Sequence, residues 1–325
     1  YTRELAIECE FSRQKSAVKW LCEGDANKAF FHSVVRQRRS SNFISRIKDA
    51  EGRWCATGQQ IKESATDFFA SLFTSESAFR GRFPALPFEV LKVDGACNDK
   101  LMEIPSAKEV RDVVFSMEVN SAPGPDGFGV GFYQTCWQII QDDLVAVVQD
   151  FFRGVGQPRG WSSSLLVLIP KVEGACHWHD FRPISLCNVS SKIISKLLVV
   201  RLNKVLPSII SPWQTGCVPG RGIADNILLA QELALDLDRR LKEPNLLLKL
   251  DMEKAYDRVE WPFLLFMLRQ FGWDERVVDL CFRTFSNSWF SVLVNGEPTG
   301  YFKSSRGIRQ GILYRLHFSY LWLSF

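Results

Sequence analysis

Two short apolar runs constrain the fold of this chain most strongly. Residues 165–169 and 246–250 are almost entirely aliphatic, and each fits a buried β-strand. The first run ends at Pro170-Lys171, and the second ends at Asp251. Both runs therefore predict strands in the interior, each with a charged residue within two positions of its end.

The rest of the pattern is mainly helical, with one further pair of strands. Helical patterns cover much of residues 1–75 and the segments 106–117, 190–205, 226–241 and the one that begins near Pro262. Ser106 and Glu109 form a capping-box sequence at the start of one of these helices. Residues 290–302 predict a β-hairpin that turns at Asn295-Gly296 with type I′ geometry. Helices and strands that do not alternate regularly predict an α+β fold.

Composition excludes several classes of protein. The chain has 325 residues, of which 46% are hydrophobic and 23% charged, so it is neither disordered nor collagen-like and can bury a large core. No apolar window is long enough for a membrane span. The nine cysteines are scattered without a Cys-x-x-Cys pair, which favours a reducing, intracellular compartment. A net charge of +4 leaves a nucleic-acid partner open.

The carboxylate of Asp251, at the end of an apolar strand, is the strongest single chemical feature. Burying it costs free energy unless a cation or hydrogen bonds satisfy it. Mg²⁺ prefers carboxylate oxygens together with substrate phosphates, and the open end of a strand supplies that arrangement. The alternative is that Asp251 caps the turn or helix that follows, because aspartate is a preferred N-cap.

Six segments in a fixed order carry the functional prediction. They are 121–127 (SAPGPDG), 168–171 (LIPK), 181–186 (FRPISL), 214–221 (QTGCVPGR), 250–257 (LDMEKAYD) and 307–311 (GIRQG). This ordered set resembles the reverse transcriptases of non-LTR (LINE-type) retrotransposons. The segments 20–27 (WLCEGDAN) and 30–33 (FFHS) resemble the region before that domain in plant elements. Group II intron-type and telomerase-like reverse transcriptases are the related alternatives, and the segments 20–33 and 214–221 argue for the LINE class.

The resemblance implies an RNA-directed DNA polymerase with the fingers and part of the palm of a right-hand polymerase. Asp251 matches the first metal-binding aspartate, which implies Mg²⁺ and two-metal nucleotidyl transfer. Tyr256 matches the aromatic residue under the incoming sugar, where its ring would clash with a 2′-hydroxyl. The implied partners are an RNA template, a DNA primer and deoxynucleoside triphosphates, with no membrane and a nuclear location.

Further nucleotide contacts are implied by the same resemblance. Lys171 and Arg182 match fingers cations that hold the triphosphate, as a point charge and a planar fork respectively. Gln310 and Gly311 match the turn that lines the nucleotide pocket, where glycine permits a close backbone approach.

Other charged clusters have weaker interpretations. Lys192, Lys196 and Lys204 fall near one helix face and could follow a template–primer backbone, as could the basic cluster at residues 36–39; simple solvation is the alternative. Cys176, His177 and His179 suggest zinc, but no second ligand pair lies at zinc-site spacing. We interpret that cluster as structural or incidental.

The resemblance ends after Gly311. The family continues Asp-Pro-Leu-Ser-Pro, whereas this chain reads ILYRL over residues 312–316. Restoring one nucleotide before the Ile312 codon recovers the family sequence with permitted codons, which predicts a frameshift. The alternative is a genuinely divergent tail, and the sequence of the encoding DNA distinguishes the two. The Asp-Asp hairpin and the thumb are then missing, so we expect the chain as written to lack polymerase activity.

The expected organisation has four parts. They are a helical N-terminal extension over 1–75, a linker over 76–103, the fingers and partial palm over 104–311, and an out-of-frame tail over 312–325. The competing functional hypothesis is a non-catalytic remnant that binds nucleic acid through its basic surface. A third hypothesis is a fragment without a stable fold, because half a palm sheet leaves an unpaired edge.

Overall fold

The computed structural model describes residues 28–76, 83–84, 90–211, 213–215, 218, 220–235, 237, 246–247 and 254–309, with side chains from residue 33 onward. The chain divides into two compact units that interleave along the sequence. Unit 1 comprises Tyr1–Phe68, Val167–Pro183 and Val292–Gly300, and unit 2 comprises Phe69–Leu166, Ile184–Ser291 and Tyr301–Phe325. The predicted boundaries at residues 76, 104 and 312 stay predictions.

The described elements are both helical and extended, which confirms the α+β class. The helices are α1 (Lys28–Ser41), α2 (Gly58–Phe73), α3 (Gly95–Met102), α4 (Ala107–Phe115), α5 (Val130–Thr135), α6 (Trp137–Phe152), α7 (Arg159–Ser162), α8 (Val189–Leu202), α9 (Leu206–Ile209), α10 (Ile223–Leu235), α11 (Ala255–Arg258), α12 (Trp261–Gln270) and α13 (Glu275–Ser286). The strands are β1 (Ile47–Lys48), β2 (Trp54–Cys55), β3 (Ser163–Pro170), β4 (Phe181–Cys187), β5 (Trp289–Val294) and β6 (Glu297–Lys303). A short 3₁₀ turn, Trp178–Asp180, precedes β4.

A four-stranded sheet with the order β4-β3-β5-β6 contains both of the predicted extended regions that lie within the described residues. The apolar run 165–169 forms most of β3, as predicted. Strands β5 and β6 form the predicted hairpin, and Asn295 and Gly296 both have positive φ angles, of 50° and 88°. Those two angles are the signature of the type I′ turn, whose twist matches that of the strands.

Helix α8 is the centre of unit 2. Eleven of its fourteen residues are buried, so it lacks the polar face of a surface helix. Its first half packs with α4 and α6, whereas its C-terminal end contributes to a second cluster around α12 and α13. Pro262 lies in the first turn of α12, as predicted. The segments that surround α8 are thereby held by one buried helix.

Four local predictions need correction. The capping box at Ser106 is half formed: Ser106 accepts the Glu109 N–H, but the Glu109 carboxylate pairs with the buried Arg201. The predicted linker contains α3, which Asp94 caps. The predicted helical region before residue 76 contains the strand pair β1–β2, whose connecting turn includes Gly52.

The fourth correction concerns the predicted strand 246–250, of which only Leu246 and Leu247 are described. Both are exposed and neither belongs to a strand. The other three residues of that run lie outside the described residues. Among the described helices, none has the length and apolar character that crossing a bilayer requires.

Candidate active site

Two of the motif segments meet through their backbones in unit 2. The Gly307 N–H donates to the Val259 carbonyl, and the Ile308 N–H donates to the Tyr256 carbonyl, both at 2.8 Å. The indole N–H of Trp261 donates to the Gly307 carbonyl, also at 2.8 Å. The start of the GIRQG segment is therefore fixed against the turn that carries Tyr256.

Glycine is required at position 307 by two independent features. Gly307 has a φ of 78°, which lies in the left-handed region that side chains with a Cβ rarely adopt. A Cβ there would lie 2.5 Å from the carbonyl oxygen of Asp257. The close contact between the two segments depends on the missing side chain.

The turn around Tyr256 is compact. Lys254 has a φ of 51°, and its carbonyl accepts the N–H groups of Asp257 and Arg258. The Asp257 side chain is 1% exposed. Asp257 therefore lies in the protein interior, with its backbone beside Gly307.

Arg309, which directly precedes Gln310, is anchored by its buried guanidinium. Its guanidinium is 2% exposed and donates to the carbonyls of Ser162 and Thr284 at 2.9 and 3.0 Å. It also reaches the hydroxyls of Ser164 and Ser191 at 3.3 and 3.5 Å. Sequence reasoning gave Arg309 no role, because its acceptors are remote in the chain. The sequence did offer one signal of a buried role for Arg309: it follows the apolar Ile308 within a segment that begins and ends with glycine.

The other motif loop of unit 2, residues 121–127, is attached to the start of α8. The Asp126 N–H donates to the Asn188 side chain at 3.2 Å, and a Cβ on Gly124 would overlap Asn188. The Lys192 ammonium donates to the Ala122 carbonyl at 2.9 Å. Burial lowers the pKa of Lys192 and raises the pKa of Asp126. Lys192 therefore holds the loop.

The remaining predicted nucleic-acid contacts differ in exposure. Lys196 is half-buried on α8, and Lys204 is exposed just after the helix ends. Arg36, Arg38 and Arg39 are exposed on α1. Their contact with a nucleic-acid backbone stays a prediction.

Lys171 and Arg182 belong to unit 1, and both are exposed. The Lys171 N–H donates to the Asp180 carbonyl at 2.7 Å, two residues before Arg182. The Lys171 ammonium donates to the His179 carbonyl at 2.9 Å. Each side chain thus starts from a fixed backbone position, Lys171 directly after β3 and Arg182 within β4.

A cavity of about 660 Å³ adjoins Lys171 in unit 1. Its lining includes Arg46, Trp54, Cys176 and Phe181. The Arg46 guanidinium lies 4.6 Å from the centroid of the Trp54 ring. Cations and an exposed aromatic ring together suit phosphates and bases.

Three predicted site residues, Asp251, Gln310 and Gly311, lie outside the described residues. The structure describes Lys254 and Tyr256, which follow Asp251 in the sequence, but not Asp251 itself. Within the described residues, the fold brings Tyr256 together with Gly307 and Ile308, the start of the GIRQG segment.

Comparisons with known proteins agree with these motifs. A protein-family model described as reverse transcriptase (RNA-dependent DNA polymerase) matches residues 169–314. An uncharacterised 149 kDa protein of transposon TX1 from Xenopus laevis is 26% identical over 95% of the chain and 25% of its own length.

Two insect proteins show the same relationship. The Pol polyprotein of retrotransposable element R2DM from Drosophila melanogaster is 26% identical over 69% of the chain and 20% of its own length. The R2 Pol polyprotein of Nasonia vitripennis is 26% identical over 66% and 19%. The chain thus spans a quarter or less of these relatives. It contains a reverse transcriptase domain of the kind found in the Pol proteins of non-LTR, LINE-type retrotransposons.

Proposed function

We propose that this domain serves RNA-directed DNA synthesis, with an RNA template, a DNA primer and deoxynucleoside triphosphates as its ligands. The observation that carries the proposal is the pair of backbone hydrogen bonds that join residues 307–308 to Val259 and Tyr256. Those bonds hold Tyr256 beside the segment that leads into Gln310 and Gly311. A nucleotide pocket needs such fixed walls, because catalysis by positioning fails when the walls move.

In the proposed arrangement, β3 and β4 belong to the fingers, and the segments around Tyr256 and Gly307 belong to the palm. Lys171 and Arg182 bind the triphosphate oxygens, since both side chains are exposed on fixed backbone positions and the Lys171 ammonium keeps two N–H groups beyond the one it donates to the His179 carbonyl. Tyr256 excludes a ribose 2′-hydroxyl by its ring. Arg309 and Gly307 position this wall and touch no substrate.

The proposed metal is Mg²⁺, held by Asp251. Carboxylate oxygen is the donor that Mg²⁺ prefers, and it leaves room for substrate phosphates as further ligands. When bound, the ion neutralises charge on the reacting phosphates and the attacking hydroxyl. The chain's own contribution is to orient the triphosphate through its cations and the sugar through Tyr256. The proposed location is the nucleus, where a chromosomal target is available.

The experiment measures how long a labelled RNA template–DNA primer stays bound to the chain. We expect the complementary next deoxynucleotide, with Mg²⁺, to lengthen the lifetime of the complex. Lys171→Ala and Arg182→Ala each weaken this response by about tenfold or more, because each removes a charge-assisted contact to phosphate. Arg53→Ala is the control, since Arg53 is exposed in unit 1 and pairs with Asp49 and Glu51.

Primer extension is measured in the same samples. We expect no extension from the chain as written, so the nucleotide response decides. Binding that ignores the nucleotide would contradict the proposed function and favour a protein that only binds nucleic acid. A chain that does not bind the template–primer would contradict both the proposed function and the hypothesis of a protein that only binds nucleic acid.

A further inference from the structure

A tight turn before β4 places four metal-binding side chains close together in unit 1. Cys176 Sγ lies 3.2 Å from His177 Nδ1, and that nitrogen lies 3.6 Å from Asp180 Oδ2. The ligand atoms of these three residues all lie within 4.8 Å of one another. The His179 ring stacks on the His177 ring, and its Nε2 lies 3.3 Å from Asp180 Oδ1.

These distances resemble the edges of a tetrahedral metal site. Zinc bound to sulfur at about 2.3 Å and to nitrogen at about 2.0–2.1 Å separates the two ligand atoms by about 3.5 Å. The corresponding nitrogen–oxygen edge is about 3.4 Å. The observed separations of 3.2 and 3.6 Å are close to both values. The third separation, between Cys176 Sγ and the Asp180 carboxylate, is within 4.8 Å, so side-chain adjustment is enough to bring the three ligands around one ion.

The backbone of the turn is already ordered. Trp178 is 2% exposed and donates its indole N–H to the Ser64 hydroxyl at 2.8 Å, which anchors the turn to the protein interior. The Asp180 carboxylate accepts the N–H groups of Cys176 and His177 at 3.1 and 3.0 Å. The Lys48 N–H donates to the Cys176 carbonyl at 2.8 Å. Little conformational entropy is therefore lost when a metal binds.

The donor set selects a borderline transition metal. Thiolate and imidazole favour zinc and its neighbours in the first row, whereas Mg²⁺ favours oxygen alone. Cys176 also lines the 660 Å³ cavity, which gives an ion a path to the site. The contact between His179 and Asp180 supplies the kind of outer partner that orients a metal ligand.

We propose that Cys176, His177 and Asp180 form a Zn²⁺ site, with His179 as the outer partner of Asp180 and a fourth position open to water. The site is separate in residues and chemistry from the Mg²⁺ expected at Asp251. Because the Asp180 and His179 carbonyls both bind Lys171, the ion would also stiffen the backbone that presents this cation. A search for paired Cys and His ligands misses the site, since its third ligand is a carboxylate.

The test uses the full 325-residue chain and Co²⁺ as the spectroscopic probe. We expect one equivalent of Co²⁺ to give a thiolate-to-cobalt charge-transfer absorption, which Zn²⁺ removes by displacement and excess Mg²⁺ does not. Cys176→Ser and His177→Asn should each abolish the absorption. Cys55→Ser is the matched control, because Cys55 is also a half-buried free thiol of unit 1, and it should keep the signal.

Circular dichroism without metal checks that each variant folds. If Cys176→Ser fails to fold, His177→Asn still tests the proposal. A wild-type chain without the charge-transfer band would overturn the proposal. A band that survives in both site variants, or that Cys55→Ser removes, would overturn it as well. Zinc should also raise the melting temperature of the wild type with increasing concentration, but not that of the site variants. Neither readout requires template, primer or nucleotide, so failure here leaves the proposed polymerase function unaffected.

Discussion

In unit 2, the segments around Tyr256 and Gly307 are joined by backbone hydrogen bonds, and Arg309 is enclosed by protein acceptors. In unit 1, Lys171 and Arg182 have fixed backbones, but their side chains are exposed. All of these residues belong to, or lie beside, motifs of one family. The comparison shows that motif residues are of two kinds: some are bonded within the framework of their unit, and others have exposed side chains.

The largest effect on stability is expected from Arg309→Met. The substitution leaves the buried carbonyls of Ser162 and Thr284 without their donor, which costs about 4 kcal/mol in the free energy of unfolding. Arg53→Met, at an exposed position, should change it by less than about 0.5 kcal/mol. Urea denaturation measures both. An unchanged or raised stability for Arg309→Met would mean that desolvating the guanidinium outweighs its hydrogen bonds.

A smaller loss is expected from Gly307→Ala. The alanine Cβ would meet the Asp257 carbonyl oxygen and also strain a φ of 78°, for a combined cost of about 3 kcal/mol. Gly127→Ala is a matched control in the same unit, because Gly127 also has a φ of 78° but has open space around its Cβ position. The control should cost about 1–2 kcal/mol. Equal losses in the two variants would remove the argument for a tight contact at Gly307.

The two helix caps of unit 2 should differ in their dependence on pH. Ser106→Ala removes the acceptor of the Glu109 N–H and costs about 1 kcal/mol at every pH. The hydrogen bond from the Cys97 N–H lowers the pKa of Asp94 below its ordinary value of 3.8. The stability that ionised Asp94 contributes is therefore present above pH 3.8 and is lost as the pH falls through its lower folded-state pKa.

Thermal unfolding from pH 7 to pH 2.5 measures this difference. The deficit of Asp94→Ala should shrink as the solution is acidified, whereas the deficit of Ser106→Ala should stay constant. A constant deficit for both would contradict the charge-dependent cap.

The smallest effect on stability is expected from Lys171→Ala and Arg182→Ala. Both side chains are exposed, so each variant should unfold within about 0.5 kcal/mol of the wild type. Their effect should appear instead in the nucleotide response of the template–primer complex. A loss above 2 kcal/mol in either variant would assign that cation to the framework and would weaken the comparison.

Local signals predicted the parts of the fold that depend on neighbouring residues. Asn295-Gly296 specified its turn because both positions tolerate positive φ, and Pro262 marked a helix start because its missing N–H is not needed there. Contacts between distant residues were missed. Arg309 meets Ser162 across 147 positions, and no periodic pattern records such a pairing.

The same limit explains the errors near Arg201 and Cys55. The Glu109 carboxylate binds Arg201, 92 residues away, instead of completing the capping box. A hydrogen bond between a carboxylate and a buried guanidinium is stronger than one between a carboxylate and a backbone N–H. Strands β1 and β2 have only two residues each, which is too short for alternation to be detected. The motif resemblance predicted the family, whereas the residues that support the motifs became visible only in the fold.

The most direct test of the central claim concerns the ring of Tyr256. Complex lifetimes are compared with the matching deoxynucleotide and ribonucleotide for the wild type, Tyr256→Phe and Tyr256→Ala. The account predicts that the wild type and Tyr256→Phe favour the deoxynucleotide, because the ring and not the hydroxyl excludes the 2′-oxygen, and that Tyr256→Ala accepts both. A wild type that does not distinguish the two nucleotides, or an alanine variant that still does, would contradict the placement of Tyr256 in the nucleotide site.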